Sequence, residues 1–195
     1  SMVSPNEVGM FWSGHWTQSN GYIISTTLFS YAFTNVDFNY WDATYDNLYD
    51  YQYVIDNASK YSQEYLKGPA KVMKAYNYQK LVDLYGNIPF SEALKGVSNL
   101  APKFDDQKDI YMGLFGQIDT ALGLLDGGGL NGDYMFGGSA TSWKKFGNTM
   151  KMVMALRISD ADASTAQSKF MEAHNGGVIG AGGDIHYPYT AADAN

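Results

Sequence analysis

Apolar side chains recur at helical spacing along most of the chain after residue 40. In residues 41–58 the apolar and aromatic positions step by four and three residues, which is the spacing of one helical face. The positions on that face are Trp41, Tyr45, Leu48, Gln52 and Ile55. The pattern predicts a first long helix over residues 41–58.

A second helix is predicted from about Gln63 to Tyr85, with Ser62 as its N-cap and Gly86 as its end. Pro89 prevents the helix from resuming. Its predicted buried stripe consists of Leu66, Ala70, Met73, Leu81 and Leu84, and a lysine stripe of Lys67, Lys71 and Lys74 is predicted to face solvent.

Three further helices follow. One is predicted over residues 106–126, capped by Asp105 or Asp106, and one over 141–159, starting near Thr141 or Ser142. The last begins near Asp162 and closes at residues 175–177. Four long helices in two consecutive pairs predict stacked αα-hairpins, an all-α fold. Such hairpins usually need at least three copies to bury their apolar faces.

The first 40 residues follow a different pattern. Residues 6–16 favour a short helix, and residues 19–40 carry many aromatic side chains and turn-formers without a clean period. We interpret residues 1–40 as an aromatic-rich region of loop and short helix, residues 41–160 as two helical hairpins, and residues 161–195 as a helix with a glycine-rich tail.

Composition excludes several functional classes. Sixteen Tyr, ten Phe and four Trp residues make 15% of the chain aromatic, which indicates a folded protein. The net charge of −7 and the absence of a Lys/Arg cluster argue against nucleic acid as a partner. The chain has no Cys, which removes thiol nucleophiles and Cys-ligated zinc. Its longest apolar run, residues 152–156, is far short of the ~20 residues that span a bilayer.

Several segments together resemble the SusD/RagB family. They are Trp41-x3-Tyr45, Leu81–Phe90 with the sequence LVDLYGNIPF, Pro102–Asp105, and Trp143–Asn148 followed by Arg157. The resemblance implies a tetratricopeptide-like fold and a surface-exposed outer-membrane lipoprotein of Bacteroidetes-type bacteria. It also implies noncatalytic binding of an oligosaccharide or peptide ligand, and delivery of that ligand to a SusC-like TonB-dependent transporter.

Two departures from the family shape the expected domain organisation. Family members carry a lipidated Cys at the mature N-terminus, and they are roughly twice as long. We therefore expect residues 1–195 to be the N-terminal helical-repeat portion of a single larger SusD-like domain. Membrane attachment would then occur only through a lipid anchor that this chain lacks.

The aromatic segment supplies the candidate ligand site. Sugars present apolar faces that stack on flat rings, while polar side chains fix their hydroxyl groups. The predicted ligand-binding residues are Trp12, Trp16, Tyr22, Tyr31 and Tyr40, with Asn35 as a polar partner. The alternative is that these rings fill the core beneath a long loop. We assign Trp41 and Trp143, which lie on helical stripes, to packing.

Two other functions stay open. A helical-repeat module could grip a protein or peptide through its concave face. A glycoside hydrolase could use Asp42 and Asp46, because residues four apart on a helix have Cβ atoms about 5–6 Å apart and retaining glycosidases hold two carboxyl groups about 5–5.5 Å apart. Together with Asp50, however, these residues form a like-charge stripe, which is more typical of a solvated face.

No cofactor is expected. Gly127, Gly129 and Gly132 match the dinucleotide fingerprint letter for letter, but they follow a predicted helix rather than a strand. The three His residues lack the spacing of a zinc site.

Overall fold

The computed structural model describes residues 9–17, 21, 39–125 and 130–185. The chain divides into two units, Ser1–Tyr40 and Trp41–Asn195. Most of the predicted loop over residues 19–40 lies outside the described residues, as do Gly127 and Gly129 of the glycine motif.

Five α-helices form the described part of the second unit. They are α1 (Trp41–Asn57), α2 (Lys67–Tyr85), α3 (Gln107–Gly123), α4 (Ala140–Arg157) and α5 (Ala163–Asn175). Short 3₁₀ turns occupy Glu64–Leu66 and Gly96–Ser98. Strands β1 (Ile88–Pro89) and β2 (Phe104–Asp105) pair antiparallel, with Ile88 opposite Asp105.

Each helix packs against the next one along the chain, and α2 also contacts α4. This succession confirms the predicted all-α fold of stacked helical hairpins. The centre of the core comes from α2, α3 and α4, and its fully buried side chains include Val72, Tyr78, Leu81, Val82, Ile110, Leu114, Phe115, Ile118 and Met154. Within the described residues, no helix is both long and apolar enough to cross a membrane.

The helix caps agree with the sequence at α3 and α5. Asp106 accepts a hydrogen bond from the backbone N–H of Lys108 at 2.9 Å, and Asp162 accepts one from Thr165 at 3.1 Å. Helix α4 begins at Ala140, next to the predicted start near Thr141 or Ser142. Ser139 caps this helix by accepting the Ser142 N–H at 3.1 Å, so Ser142 is already a residue of the first turn.

The predicted N-cap of α2 is wrong. Ser62 has a positive φ of 56° and lies in a tight turn, in which its N–H donates to the Ser59 carbonyl. A 3₁₀ turn follows, and α2 begins at Lys67 without a side-chain cap. Pro69 therefore lies in the first turn of α2, where a missing N–H costs nothing.

The buried face of α2 is rotated from its prediction. Leu84 is 60% exposed, whereas Ala75 and Tyr78 are buried. Lys74 is half-buried and donates a hydrogen bond to Gln52 of α1, so the lysine stripe does not lie wholly in solvent. The physical reason is that α2 packs on both α1 and α3, which buries a wider surface than one apolar stripe.

Candidate functional site

The first candidate site is a pair of exposed indoles in the N-terminal unit. A helical turn covers residues 9–12, and the Trp16 N–H closes the following turn on the Met10 carbonyl at 3.0 Å. Trp12 is 40% exposed and Trp16 is 48% exposed. Phe11 is buried and meets the Trp16 ring edge-to-face, with ring centroids 5.9 Å apart. The turn therefore presents two large rings on a locally ordered backbone.

Of the other four predicted ligand-binding residues, the structure describes one. Tyr40 is half-buried and lies directly before α1. Tyr22, Tyr31 and Asn35 lie outside the described residues. Of the six predicted residues, Trp12 and Trp16 are thus the two that lie together in one described segment, residues 9–17.

The other two tryptophans pack, as predicted. Trp41 lies in a cluster of rings, with centroid distances of 5.0 Å to Tyr45, 5.2 Å to Tyr85 and 6.0 Å to Phe104. Trp143 is buried and contacts Phe136 edge-to-face at 5.1 Å.

A second candidate site is a cleft of about 610 Å³ beside α1, which we call the tyrosine cleft. Tyr49 and Tyr53 of α1 line it and are 49% and 55% exposed. The other lining residues are Gln52, Asp56 and Asn57 of α1, Lys74 of α2, Gln117 of α3, and Phe90, Ser91, Ala93, Leu94 and Lys95 of the segment after β1.

The polar groups of the tyrosine cleft are held in a chain of hydrogen bonds. Lys74 Nζ donates to Gln52 Oε1, and Gln52 Nε2 donates to Asp56 Oδ1 at 2.7 Å. Burial lowers the pKa of Lys74, and the nearby Lys71 charge lowers it further. The cleft thus combines two exposed rings with fixed amide, carboxylate and ammonium groups, the side-chain chemistry that binds hydroxyl-rich ligands.

A third cleft, of about 640 Å³, contains a network that ties helices together. Asp83 of α2 accepts hydrogen bonds from Tyr111 of α3 and from Gln79, and Arg157 of α4 approaches its Oδ2 at 3.1 Å. Burial, followed by the bond to Asp83, raises the pKa of Tyr111. Because Asp83 is engaged by three helix-borne groups, we interpret this cleft as structural.

The acidic stripe of α1 is fully on the surface. Asp42, Asp46 and Asp50 are all exposed, whereas the acid of a glycosidase pair usually sits in an apolar pocket. In the described part of the chain, no group of three or more His, Asp or Glu side chains is arranged to hold a metal ion.

Sequence reasoning missed the tyrosine cleft because it sought ligand-binding rings only in the segment before α1. A signal was present: Tyr49 and Tyr53 lie four residues apart on α1 and outside the stripe that contains Leu48. Aromatic residues at helical spacing but off the apolar face are expected to lie exposed.

The profile of the protein family described as "Starch-binding associating with outer membrane" matches residues 6–195. The chain belongs to this SusD-like family. The tetratricopeptide-like helical fold that the sequence motifs implied is therefore confirmed, and the motifs after residue 40 identified the family correctly.

Several solved structures share the fold. A SusD-like protein from Bacteroides thetaiotaomicron superposes with a TM-score of 0.68 at 26% identity, covering 87% of this chain and 37% of that one. A chitin-binding protein gives a TM-score of 0.66 at 33% identity, over 72% of this chain and 31% of its own. A chitin-binding SusD homologue from Flavobacterium johnsoniae gives 0.63 at 25% identity, over 71% and 31%.

The chain covers only part of the length of each of these structures. It spans between 31% and 37% of the length of these three solved structures, so it corresponds to about a third of each. None of the functionally curated proteins is similar enough to match this chain.

Proposed function

We propose that this chain is part of a noncatalytic protein that binds oligosaccharides at the outer surface of a bacterial outer membrane and passes them to a SusC-like TonB-dependent transporter. The family description supports binding of starch-like glycans and association with the outer membrane. The observation that carries the proposal is the pair of exposed indoles, Trp12 and Trp16, on one ordered turn.

The physical reason is that two exposed indoles close together in the chain offer an apolar surface that a ligand can cover. Large apolar rings are normally buried, and exposed aromatic patches mark binding sites. An indole stacks on the apolar face of a pyranose and can donate its N–H to a hydroxyl. Two indoles four residues apart offer such faces without any catalytic group.

The ligand class follows from the relatives. Two structures similar to this chain are described as chitin-binding, and the family is described as starch-binding. Chito-oligosaccharides and malto-oligosaccharides are therefore the first ligands to test. A lipid anchor supplied outside residues 1–195 and a transporter partner belong to the same proposal.

Isothermal titration of the 195-residue chain with chito-oligosaccharides, malto-oligosaccharides and a peptide panel tests the function. Trp12→Ala and Trp16→Ala should each weaken glycan affinity at least tenfold, which is ~1.4 kcal/mol. Because both side chains are exposed, each substitution should change stability by less than about 1 kcal/mol. The matched control is Tyr134→Ala, which removes an exposed ring from another segment and should leave affinity unchanged.

The opposite results point to the other functions. Binding of peptides but not glycans would favour the helical-repeat interaction module. Glycan hydrolysis that disappears in Asp42→Asn would favour the hydrolase. If Trp12→Ala and Trp16→Ala both unfold the protein, these rings are core residues and the proposed site is wrong.

A further inference from the structure

The two exposed rings of the tyrosine cleft lie on one helix, α1. Tyr49 and Tyr53 are four residues apart in α1, so their Cβ atoms lie about 5–6 Å apart on the same face. Both rings are about half exposed. A third exposed ring, Tyr61, lies beside Tyr53 and extends this aromatic surface. A hydrogen bond joins the Tyr53 and Tyr61 side chains and raises the pKa of Tyr53.

The polar groups of the cleft come from two helices. Gln52 lies between Asp56 and Lys74 and hydrogen-bonds to both, so its amide orientation is fixed. An ammonium group has three N–H donors, and among the described residues Lys74 donates one of them, to Gln52. Lys74 therefore retains donors for a ligand in the cleft, and its partly desolvated position strengthens such bonds.

The opposite wall of the cleft is anchored rather than loose. Asp105 accepts the backbone N–H groups of Phe90 at 3.0 Å and Ser91 at 2.7 Å, together with the Ser91 hydroxyl at 2.8 Å. Next to the lining residue Lys95, the backbone of Gly96 lies close to Tyr49: a Cβ added to Gly96 would be 3.6 Å from the Tyr49 hydroxyl. A preformed wall reduces the ordering cost that a ligand must offset on binding.

The lining of the cleft carries charges of both signs, two ammonium groups and one carboxylate. Lys74 and Lys95 are balanced in part by Asp56, and Asp56 and Lys74 are already joined through Gln52. An anionic sugar would meet the Asp56 carboxylate, and the whole chain carries a charge of −7. A neutral sugar can instead accept from Lys74, donate to Asp56 and stack on the rings.

We propose that the tyrosine cleft is a second sugar-binding site, which holds neutral pyranose units of an oligosaccharide against Tyr49 and Tyr53. Its volume of about 610 Å³ lies within the ~300–1,000 Å³ typical of small-molecule sites. The proposal rests on the proposed glycan-binding function. It adds a contact in the helical unit, outside the N-terminal segment that carries Trp12 and Trp16.

The test follows the Tyr ring signals by NMR in the 195-residue chain labelled on tyrosine, with Tyr49→Phe and Tyr53→Phe used for assignment. Neutral chito- or malto-oligosaccharide should shift the Tyr49 and Tyr53 signals, also in the Trp12→Ala/Trp16→Ala variant. Tyr49→Ala/Tyr53→Ala should lower affinity at least tenfold in that variant. Tyr49→Phe and Tyr53→Phe, which keep the rings, should bind nearly as wild type.

The outcomes separate this proposal from the function itself. If titration calorimetry shows that glycan binds and that Trp12→Ala/Trp16→Ala weakens it, while the Tyr49 and Tyr53 signals stay in place, the cleft is not a sugar site and the function stands. If no glycan binds by calorimetry and none shifts a Tyr signal, both fail. Tighter binding of an anionic oligosaccharide than of its neutral counterpart overturns the assigned ligand class. Tyr134→Ala is the control and should have no effect.

Discussion

The indole N–H of Trp143 donates a hydrogen bond of 2.9 Å to Oδ2 of Asp133. The same carboxylate accepts the backbone N–H groups of Met135, Phe136 and Gly138 at 2.9, 3.2 and 3.0 Å. One buried ring of α4 is therefore bonded to the group that folds the segment before this helix. Trp143 both fills the core and fixes that segment.

Trp143→Ala should lower the free energy of unfolding by about 3–5 kcal/mol, because it leaves a cavity where a buried ring was. Trp143→Phe keeps most of the volume but removes the bond to Asp133, so about 1.5–3 kcal/mol is expected, the range for hydrogen bonds to charged groups. Urea denaturation followed by circular dichroism measures both. Equal losses for the two variants would show that packing contributes nothing beyond the hydrogen bond.

Asp133 should also make the free energy of unfolding fall as the pH is lowered in the acid range. Burial alone would raise its pKa, but the hydrogen bonds from Trp143 and from three backbone N–H groups outweigh burial and hold the pKa below its ordinary value. A carboxyl with a depressed folded-state pKa stabilises the fold above the unfolded-state pKa of ~3.9. That stability is lost as the pH falls from about 4 through the folded-state pKa.

The measurement is the urea midpoint between pH 6 and pH 2.5. Asp133→Asn should lower stability at pH 6 and flatten the decline below pH 4. Asp46→Asn changes an exposed carboxylate and should leave the curve unchanged. Part of the decline should remain in Asp133→Asn, since hydrogen bonds from Lys151 and then from Lys169 depress the pKa of Glu172. An identical pH profile for Asp133→Asn and wild type would contradict the assignment.

The helices predicted most accurately from the sequence are those marked by an N-cap residue and a regular apolar stripe. Helix α3 has an N-cap at Asp106 and a simple stripe that contains Ile110, Leu114 and Ile118, and both features are present in the structure. Helix α2 was harder, because it is buried between two neighbours. Tyr78 and Gln79 are buried there although neither belongs to the apolar stripe.

The candidate sites were predicted less completely, for a different physical reason. Composition shows that aromatic rings are abundant, but exposure depends on which faces the helices turn toward each other. The packing roles of Trp41 and Trp143 followed from periodicity, since both lie on stripes. Tyr49 and Tyr53 line a cleft because the segment after β1 lies beside α1, a tertiary relationship that no local pattern encodes.

Gly86 should be intolerant of substitution for conformational reasons alone. It ends α2 with φ 72° and ψ −114°, a conformation that strongly favours glycine, yet an added Cβ would meet no atom within 4 Å. Gly86→Ala should therefore destabilise by about 1–3 kcal/mol through backbone strain.

The matched control for Gly86 is Gly116, an exposed glycine inside α3 where an added Cβ also meets nothing within 4 Å. Gly116→Ala should stabilise the protein by about 0.4–1 kcal/mol, because the unfolded chain loses conformational freedom. Thermal unfolding of the two variants gives the comparison. If both alanines shift the melting temperature in the same direction, backbone conformation does not explain the need for Gly86.

The two carboxylates that pair with Lys151 of α4 should contribute more to stability than Lys151 itself does. Lys151 is almost fully buried and forms ion pairs with Asp119 of α3 and Glu172 of α5, both partly exposed. Lys169 also approaches these two carboxylates, at 3.7 and 3.0 Å. The two carboxylates can therefore lose Lys151 and still retain a cation and water, whereas a buried ammonium without its carboxylates has no compensating charge.

Asp119→Asn/Glu172→Gln should accordingly cost about 3–5 kcal/mol, the range for a buried charge left unpaired. Lys151→Met, which replaces the cation with an apolar side chain of similar length, should cost less than about 1.5 kcal/mol. Adding Lys151→Met to the double variant should restore part of its lost stability, because the unpaired charge is then gone. Urea denaturation at pH 7 measures all three variants. A triple variant less stable than the double one would show that the buried ammonium stabilises the fold even without its two partners.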